Sequence, residues 1–103
     1  MTDNIEGRKD DQGKLPWHLL PGDAIEEILY ILQFGATKYG ERNWEKGMNW
    51  SRCFGALMRH MWKWWMGEYT DVETGRSHLA HAGCCILFLI AYEKRNIGKD
   101  DRP

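Results

Sequence analysis

The segment from Leu79 to Ala91 limits what this chain can fold into more than any other part of its sequence. Almost every side chain in it is apolar, so a helix built from it has no polar face. A helix that is hydrophobic all round is buried all round. The chain has 103 residues, and two further helices in so short a domain cannot cover every side. We therefore expect this helix to lie at the centre of a homo-oligomer, either a dimer or a tetramer.

The same apolar segment does not predict a transmembrane helix. It is shorter than the roughly 20 residues that a bilayer requires, and charged or histidine side chains lie close to both of its ends. The N-terminal sequence MTDNIEGRKDDQGK lacks the apolar core of a signal peptide. The 3 cysteines show no disulfide or zinc-finger spacing. These features predict a cytoplasmic protein with no membrane partner.

Helical periodicity predicts two more helices before the apolar segment. Asp23 and Glu26 have the spacing of a capping box at the start of the first helix. The second helix carries an apolar stripe, which consists of Phe54, Leu57, Met58, Met61 and Trp65. Ser77 or Thr74 is suited to cap the third. The chain thus predicts an all-α fold, a bundle of three main helices at about 23–39, 50–69 and 77–96, completed by oligomerisation.

Chain length and charge favour one domain that does not bind nucleic acid. We expect a single domain over residues 1–103, with a polar N-terminal arm at about 1–15 and a short polar C-terminal tail at about 97–103. The formal net charge is -1. A protein that binds DNA or RNA relies on a positive field to attract phosphates. No nucleic-acid partner is therefore expected.

The sequence GEYTDVETGRSHLAHAG, residues 67–83, gathers metal-binding side chains immediately before the apolar segment. Glu68 and Asp71 are spaced i,i+3, and so are His78 and His81. A turn at DVETG would bring the two pairs together across a hairpin. Carboxylates suit Mg²⁺, whereas imidazoles shift the preference toward Mn²⁺, Zn²⁺ or Fe²⁺. The alternative is a helix hairpin with polar residues at its solvated end.

Basic side chains could bind phosphates beside such a metal site. Cations neutralise the phosphate charge that a metal ion leaves uncovered. The candidates, some of them close to His60, are Lys9, Lys14, Lys38, Arg42, Arg59 and Lys63. Each of them could also be ordinary surface charge. Nucleophilic catalysis is less favoured, because the cysteines lie within predicted apolar helices, where thiols are usually inert.

Three longer motifs resemble the phage dATP/dGTP diphosphohydrolases, relatives of the MazG-type all-α nucleoside triphosphate pyrophosphohydrolases. They are GRKDDQGKLPWHLLP, FGATKYGERNW and ALMRHMWKWWMGEYTDVETGRSHLAHAG, followed by an FL pair, and they span about Gly7 to Tyr92. The resemblance implies a MazG-like helical enzyme that uses a divalent metal to hydrolyse a deoxypurine triphosphate, dATP or dGTP, to the monophosphate and pyrophosphate. If a phage encodes the chain, it acts in the host cytoplasm.

The resemblance also implies roles for individual residues. Glu68 and Asp71 match the first acidic pair of the MazG pattern, whereas His78 and His81 stand where a second acidic pair is expected. The implied catalytic residues are Glu68, Asp71 and His78, and the implied ligands of Mg²⁺ or Mn²⁺ are these three with His81. The implied substrate-binding residues are Lys14, Lys38, Arg42, Asn43, Trp44, Arg59, His60 and Lys63. Trp44 would either stack on the base or pack in the core.

Two other functions remain as alternatives. A metal phosphohydrolase of the HD type requires adjacent histidine and aspartate residues, and the chain contains no His-Asp dipeptide. A non-catalytic phage adaptor that binds a host protein or nucleic acid would account for the apolar helix and the tryptophans. It would not account for acidic and imidazole side chains gathered at one hairpin.

Overall fold

Three α-helices form the fold of the computed structural model, which describes residues 7–103. They are α1 (Gly22–Tyr39), α2 (Trp50–Trp65) and α3 (His78–Arg95). Short 3-10 helices at Trp17–Leu19 and Asn43–Lys46 precede α1 and α2. Within residues 7–103, strand-like pairing is limited to two isolated β-bridges. The prediction of an all-α chain with three main helices is confirmed. Residues 1–6 of the predicted arm lie outside the described residues, and residues 7–15 are exposed.

Helix α3 packs against both other helices and supplies most of the core. A small cluster of Ile31, Ala80 and Cys84 forms where α3 meets α1. Gly83 permits this close approach, because a Cβ there would lie 2.8 Å from Cδ1 of Ile28. One chain nevertheless leaves part of α3 uncovered, since Ile90 is 49% exposed. The expectation that a partner subunit covers this part of α3 stays a prediction.

Helix α2 ends at Trp65, so the predicted extension to residue 69 is wrong. Gly67 has a φ of +103°, a left-handed conformation that stops the helix. Glu68 and Asp71 consequently lie in the loop between α2 and α3. They do not share a helix face with His60, as they would if α2 continued to residue 71. The hairpin between the two helices is made by this loop rather than by the end of α2.

The apolar stripe of α2 is largely exposed. Phe54 is 54% exposed and Trp65 is 71% exposed, whereas Leu57 of the same stripe is half-buried. The side of α2 that meets α3 begins instead at buried Cys53, whose thiol donates to the carbonyl of Cys85 at 3.4 Å. This rotation of α2 leaves an apolar surface available to another chain.

The helix ends differ in part from the sequence predictions. The side chain of Ser77 caps α3 by accepting the Leu79 N–H, as predicted. Helix α1 begins one residue before Asp23, and Pro21 occupies the N-cap position. The carboxylate of Asp23 accepts the N–H of the next residue, Ala24, instead. The capping-box prediction is therefore wrong, since its acceptor lies inside the first turn.

The C-terminal tail is docked against the start of α2. Asp101 accepts hydrogen bonds from the backbone N–H and the hydroxyl of Ser51. The indole of Trp50 donates to the carbonyl of Ile97 at 3.0 Å. Because the Asn49 side chain makes no capping bond, Asp101 supplies the acceptor that the first turn of α2 needs. The polar tail thus completes a helix terminus.

Candidate active site

The loop between α2 and α3 folds back on itself and presents acidic side chains to the start of α3. Thr70 pairs with Ser77 in an antiparallel bridge. The N–H of Asp71 donates to the carbonyl of Arg76 at 2.8 Å, and the N–H of His78 donates to the carbonyl of Tyr69 at 2.9 Å. Gly75 permits the turn with a φ of +71°. These bonds fix both acidic residues relative to α3.

His78 is fully buried and uses both of its ring nitrogens. Its Nε2 lies 2.6 Å from Oε2 of Glu68, and its Nδ1 lies 2.9 Å from Nδ1 of His60. An ionised carboxylate can only accept, so Nε2 of His78 carries the proton. In the neutral ring, Nδ1 then holds a lone pair that points toward His60. Glu68 therefore selects the tautomer of His78.

Asp71 is held by the turn that it helps to form. Its Oδ2 accepts the backbone N–H groups of Glu73 and Thr74 at 3.0 and 3.1 Å. Burial alone would raise the pKa of Asp71, but these bonds and the nearby His81 outweigh it and lower that pKa. Within residues 7–103, Oδ1 accepts no hydrogen bond from a side chain or from a backbone N–H. Asp71 is thus an ionised carboxylate with one oxygen available to a ligand.

His81 lies between Thr74 and His60. Its Nε2 is 2.7 Å from Oγ1 of Thr74 and 3.7 Å from Oδ2 of Asp71. Its ring stacks on that of His60 with centroids 4.4 Å apart. Burial and the neighbouring His78 lower the pKa of His81, although Asp71 opposes the shift. His81 is therefore a neutral imidazole near pH 7.

His60 joins the cluster from α2. Burial lowers its pKa to about 4, and the nearby His81 and His78 rings add to the effect. Three neighbouring imidazoles cannot all be charged, so the site keeps His60 neutral. A neutral imidazole can bind a metal ion or accept a proton.

Ligand atoms from His60, Asp71 and His78 all lie within 4.8 Å of one another. Two imidazoles and a carboxylate are a donor set that fits a divalent transition ion. Glu68 has a different position, because it bonds to the nitrogen of His78 that points away from His60. Carboxylates that accept the second N–H of a ligating histidine orient it and raise its affinity. The arrangement of Glu68 fits that role better than direct ligation.

Of the predicted substrate-binding residues, His60 belongs to this cluster, and Lys63 and Lys38 lie near it. Lys63 is close enough to contribute to the lowered pKa of His60. Lys38 projects from α1 and pairs with Glu73 of the loop at 2.7 Å. Arg59 is adjacent to His60 in sequence but lies beside Gly55 and Cys85 instead. The structure therefore brings two of the predicted cations toward the cluster.

The remaining predicted substrate-binding residues lie elsewhere in the chain. Trp44 stacks on Phe88 with centroids 4.6 Å apart, and its carbonyl accepts the hydroxyl of Tyr92 at 2.6 Å. Phe88 follows His78 by ten residues, about 15 Å along a helix. Arg42 and Asn43 adjoin Trp44 at that distant end, and Lys14 is on the exposed arm. Within one chain, Trp44 is therefore half-buried against α3.

The sequence indicated Thr74 only as a possible helix cap, and neither its contacts with Asp71 and His81 nor the cleft beside it was predicted. A cleft of about 310 Å³ lies between α1 and the loop. Its lining residues are Tyr30, Gln33, Phe34, Thr37, Thr74 and Arg76. The α1 members recur at positions i, i+3, i+4 and i+7, which is one helix face. This spacing is present in the sequence, but the position of the loop against α1 depends on the tertiary fold.

No helix within residues 7–103 is long and apolar enough to cross a membrane. The three cysteines are free. Burial raises the pKa of the Cys84 thiol to about 12, so Cys84 is a thiol rather than a nucleophilic thiolate near pH 7.

The chain has detectable similarity to known proteins over nearly its whole length. Residues 4–102 match the family model for the N-terminal part of dATP/dGTP diphosphohydrolases. A protein of Salmonella phage PMBT28 named dATP/dGTP diphosphohydrolase is 35% identical over 98 residues, which cover 95% of the chain. The chain spans only about a third (33%) of that relative's length. No solved structure matches the chain.

Proposed function

The chain belongs to the family of dATP/dGTP diphosphohydrolase N-terminal regions, and on that premise we propose that it hydrolyses dATP or dGTP. The products would be the nucleoside monophosphate and pyrophosphate. The observation that carries the proposal is the convergence of His60, Asp71 and His78 ligand atoms within 4.8 Å. A non-catalytic adaptor has no need for neutral imidazoles and an ionised carboxylate gathered at one point.

The proposed metal ligands are His60, Asp71 and Nδ1 of His78, and Glu68 orients His78 through Nε2. The contact between Nδ1 of His78 and Nδ1 of His60 would give way when an ion binds. Because the donor set is rich in imidazole, it favours Mn²⁺ over Mg²⁺. A bound ion would neutralise phosphate charge and lower the pKa of a water molecule. His81, assigned to the metal by the resemblance, has its Nε2 engaged by Thr74 at 2.7 Å. We assign His81 to the reacting water instead.

In the proposed reaction, the oxygen of a water molecule bonds to one phosphorus of the α–β anhydride. The bond between that phosphorus and the bridging oxygen breaks, which separates the monophosphate from pyrophosphate. With Nε2–H of His81 donating to Oγ1 of Thr74, the proton of the water passes to Nδ1 of the neutral His81 imidazole. Lys38 and Lys63 offset the negative charge of the phosphates. The pairing of Lys38 with Glu73 would give way when a phosphate binds.

We further propose that the chain acts as a homo-oligomer. The radius of gyration is 17.7 Å, whereas a compact domain of this length has about 13 Å. Met58, Trp62 and Trp65 are 50%, 62% and 71% exposed on one face of α2. Methionine and tryptophan are enriched in the cores of protein interfaces. A second copy of the chain, which offers the same face, is the occupant that we propose.

The test of the activity is a screen for pyrophosphate release. The chain is incubated with each of the four deoxynucleoside triphosphates, with Mn²⁺, with Mg²⁺ or with a chelator. We expect release from dATP or dGTP that requires a divalent ion and is faster with Mn²⁺. Absence of release from every nucleotide with either ion would overturn the proposal and favour the adaptor.

A further inference from the structure

The cleft between α1 and the loop adjoins the candidate active site and has no role in the chemistry described above. Thr74 belongs to both the cleft and the candidate active site. It lines the cleft, its hydroxyl lies 2.7 Å from Nε2 of His81, and its N–H donates to Asp71. A molecule whose phosphates lay against His81 and Asp71 would therefore have the cleft next to its nucleoside end.

The lining of the cleft has the chemistry that binds a flat heterocycle. Tyr30 and Phe34 are four residues apart on α1 and supply aromatic surface. The Cζ atom of the Arg76 guanidinium lies 3.6 Å from the centroid of the Tyr30 ring. Aromatic and guanidinium planes are the surfaces on which nucleobases stack. A volume of about 310 Å³ is at the lower end of small-molecule sites, which run from roughly 300 Å³ upward.

Two polar side chains of the cleft match the edges of purines. The amide of Gln33 offers one acceptor and two donors, the set that pairs with N6 and N7 of adenine. Arg76 offers donors that suit O6 and N7 of guanine. Glu27 lies 3.5 Å from one guanidinium nitrogen, and the remaining N–H groups of Arg76 stay available. Gln33 is exposed on α1, so water or a ligand can reach its amide.

We propose that this cleft is the nucleoside subsite and that Gln33 reads the edge of the purine base. The inference deepens the proposed function, since it assigns the base of the same substrate. It replaces the predicted contact with Trp44 and Asn43, which lie at the distant end of α3. Tyr30 and Arg76 form the stacking surface, and Thr74 connects the subsite to the reacting phosphates.

The first experiment compares steady-state kinetics of the chain, Gln33→Leu and a matched control. Gln12→Leu is that control, because Gln12 is the other glutamine and lies on the exposed arm. We expect Gln33→Leu to raise KM for dATP and dGTP by about tenfold or more, since a missing polar partner weakens binding by at least that factor. The kcat should stay within about threefold, and Gln12→Leu should match the unmodified chain.

The second experiment measures binding without hydrolysis. Glutamine-selective ¹⁵N labelling gives side-chain NH₂ signals from Gln12 and Gln33 only. Addition of dAMP or dGMP should shift the Gln33 pair and leave the Gln12 pair in place, whereas pyrophosphate should shift neither. The side-chain NH₂ signals that are absent from the spectrum of Gln33→Leu are thereby assigned to Gln33.

The outcomes separate the two proposals. Hydrolysis with an unchanged KM in Gln33→Leu and no shift of Gln33 overturns the subsite and leaves the activity standing. A shift of Gln33 by purine monophosphates without hydrolysis supports the subsite and overturns the activity. Absence of both hydrolysis and shifts overturns both.

Discussion

The carboxylate of Glu68 lies 2.6 Å from Nε2 of the fully buried His78. This contact determines which nitrogen of His78 carries a proton, and the other nitrogen faces His60. The position of Glu68 beyond the end of α2 gives it this reach, since Gly67 ends the helix and the loop carries the carboxylate toward α3. A residue that the sequence assigns to the metal thus acts on the imidazole beside it.

Removal of this carboxylate should weaken metal binding without removing a ligand. We expect Glu68→Ala to lower Mn²⁺ affinity by about 10- to 100-fold, the usual effect of losing such a partner. The Mn²⁺ affinity of Glu68→Gln should lie between those of the unmodified chain and Glu68→Ala. The amide oxygen of glutamine can still accept a hydrogen bond from Nε2–H of His78. Isothermal titration with Mn²⁺ measures the change, and Glu41→Ala, at an exposed position, is the control. Unchanged affinity in Glu68→Ala would contradict the orienting role.

The stability of the metal-free chain should fall as the pH drops from about 6.5 to about 4. His60 has a pKa of about 4 in the folded chain, against 6.5 for an ordinary imidazole, so the folded state binds fewer protons in this window. The stabilisation is complete above about pH 6.5 and is lost as the pH falls. The loss amounts to about 2 kcal/mol between pH 7.5 and pH 5.

Urea unfolding in the presence of a chelator measures this effect. The free energy of unfolding of His60→Gln should depend less on pH over the same window, while His18→Gln should behave like the unmodified chain. His18 is the matched control because it is exposed in the 3-10 helix that precedes α1. Equal pH dependence in the unmodified chain and His60→Gln would contradict a buried neutral His60.

The hydroxyl of Tyr92 should contribute measurably to stability. Tyr92 is 0% exposed, its hydroxyl donates to the carbonyl of Trp44 at 2.6 Å, and burial raises its pKa to about 12. Tyr92→Phe leaves that carbonyl without this donor and should cost about 1–2 kcal/mol of unfolding free energy. Tyr39→Phe, on an exposed side chain, should change it little. Thermal unfolding of both variants checks the difference, and equal midpoints would contradict it.

A charge on the exposed face of α2 should separate the proposed oligomer. Trp62→Glu places a carboxylate in the apolar surface that a second copy would cover, so we expect monomers at micromolar concentration. Tyr39 is the last residue of α1 and is 62% exposed, so Tyr39→Glu should still form the oligomer. Sedimentation equilibrium measures the mass of each. A monomeric unmodified chain would show that a different segment or protein covers this face.

The sequence predicted the helices well because their signals are local. The periodic apolar residues and the Ser77 cap act within a few residues of one another, so they survive without knowledge of the fold. The end of α2 was harder to predict, because a glycine such as Gly67 is tolerated within some helices but ends this one. The sequence did not predict which face of α2 packs inward. Cys53 and Phe54 are both apolar, and the position of α3 determines which of the two is buried.

The candidate site was predicted only in part, because some of its contacts follow from local sequence signals and others depend on helix packing. The pairing of Glu68 with His78, and of Asp71 with His81, follows from a hairpin that the sequence signals. The entry of His60 depends on how α2 is rotated against α3, and the role of Thr74 depends on the turn that holds Asp71. The residue type of Trp44 left two roles open, stacking on the base and packing in the core, because its stacking on Phe88 depends on the tertiary fold.

The most direct test of the central claim is Mn²⁺-dependent pyrophosphate release by two histidine variants. The unmodified chain, His78→Ala and His18→Ala are stripped of metal and assayed with dATP and dGTP as Mn²⁺ is restored. Circular dichroism verifies that each is folded. We predict that His18→Ala regains the activity of the unmodified chain and that folded His78→Ala loses at least about 100-fold. Full activity in folded His78→Ala would contradict a reaction at the His60–Asp71–His78 cluster.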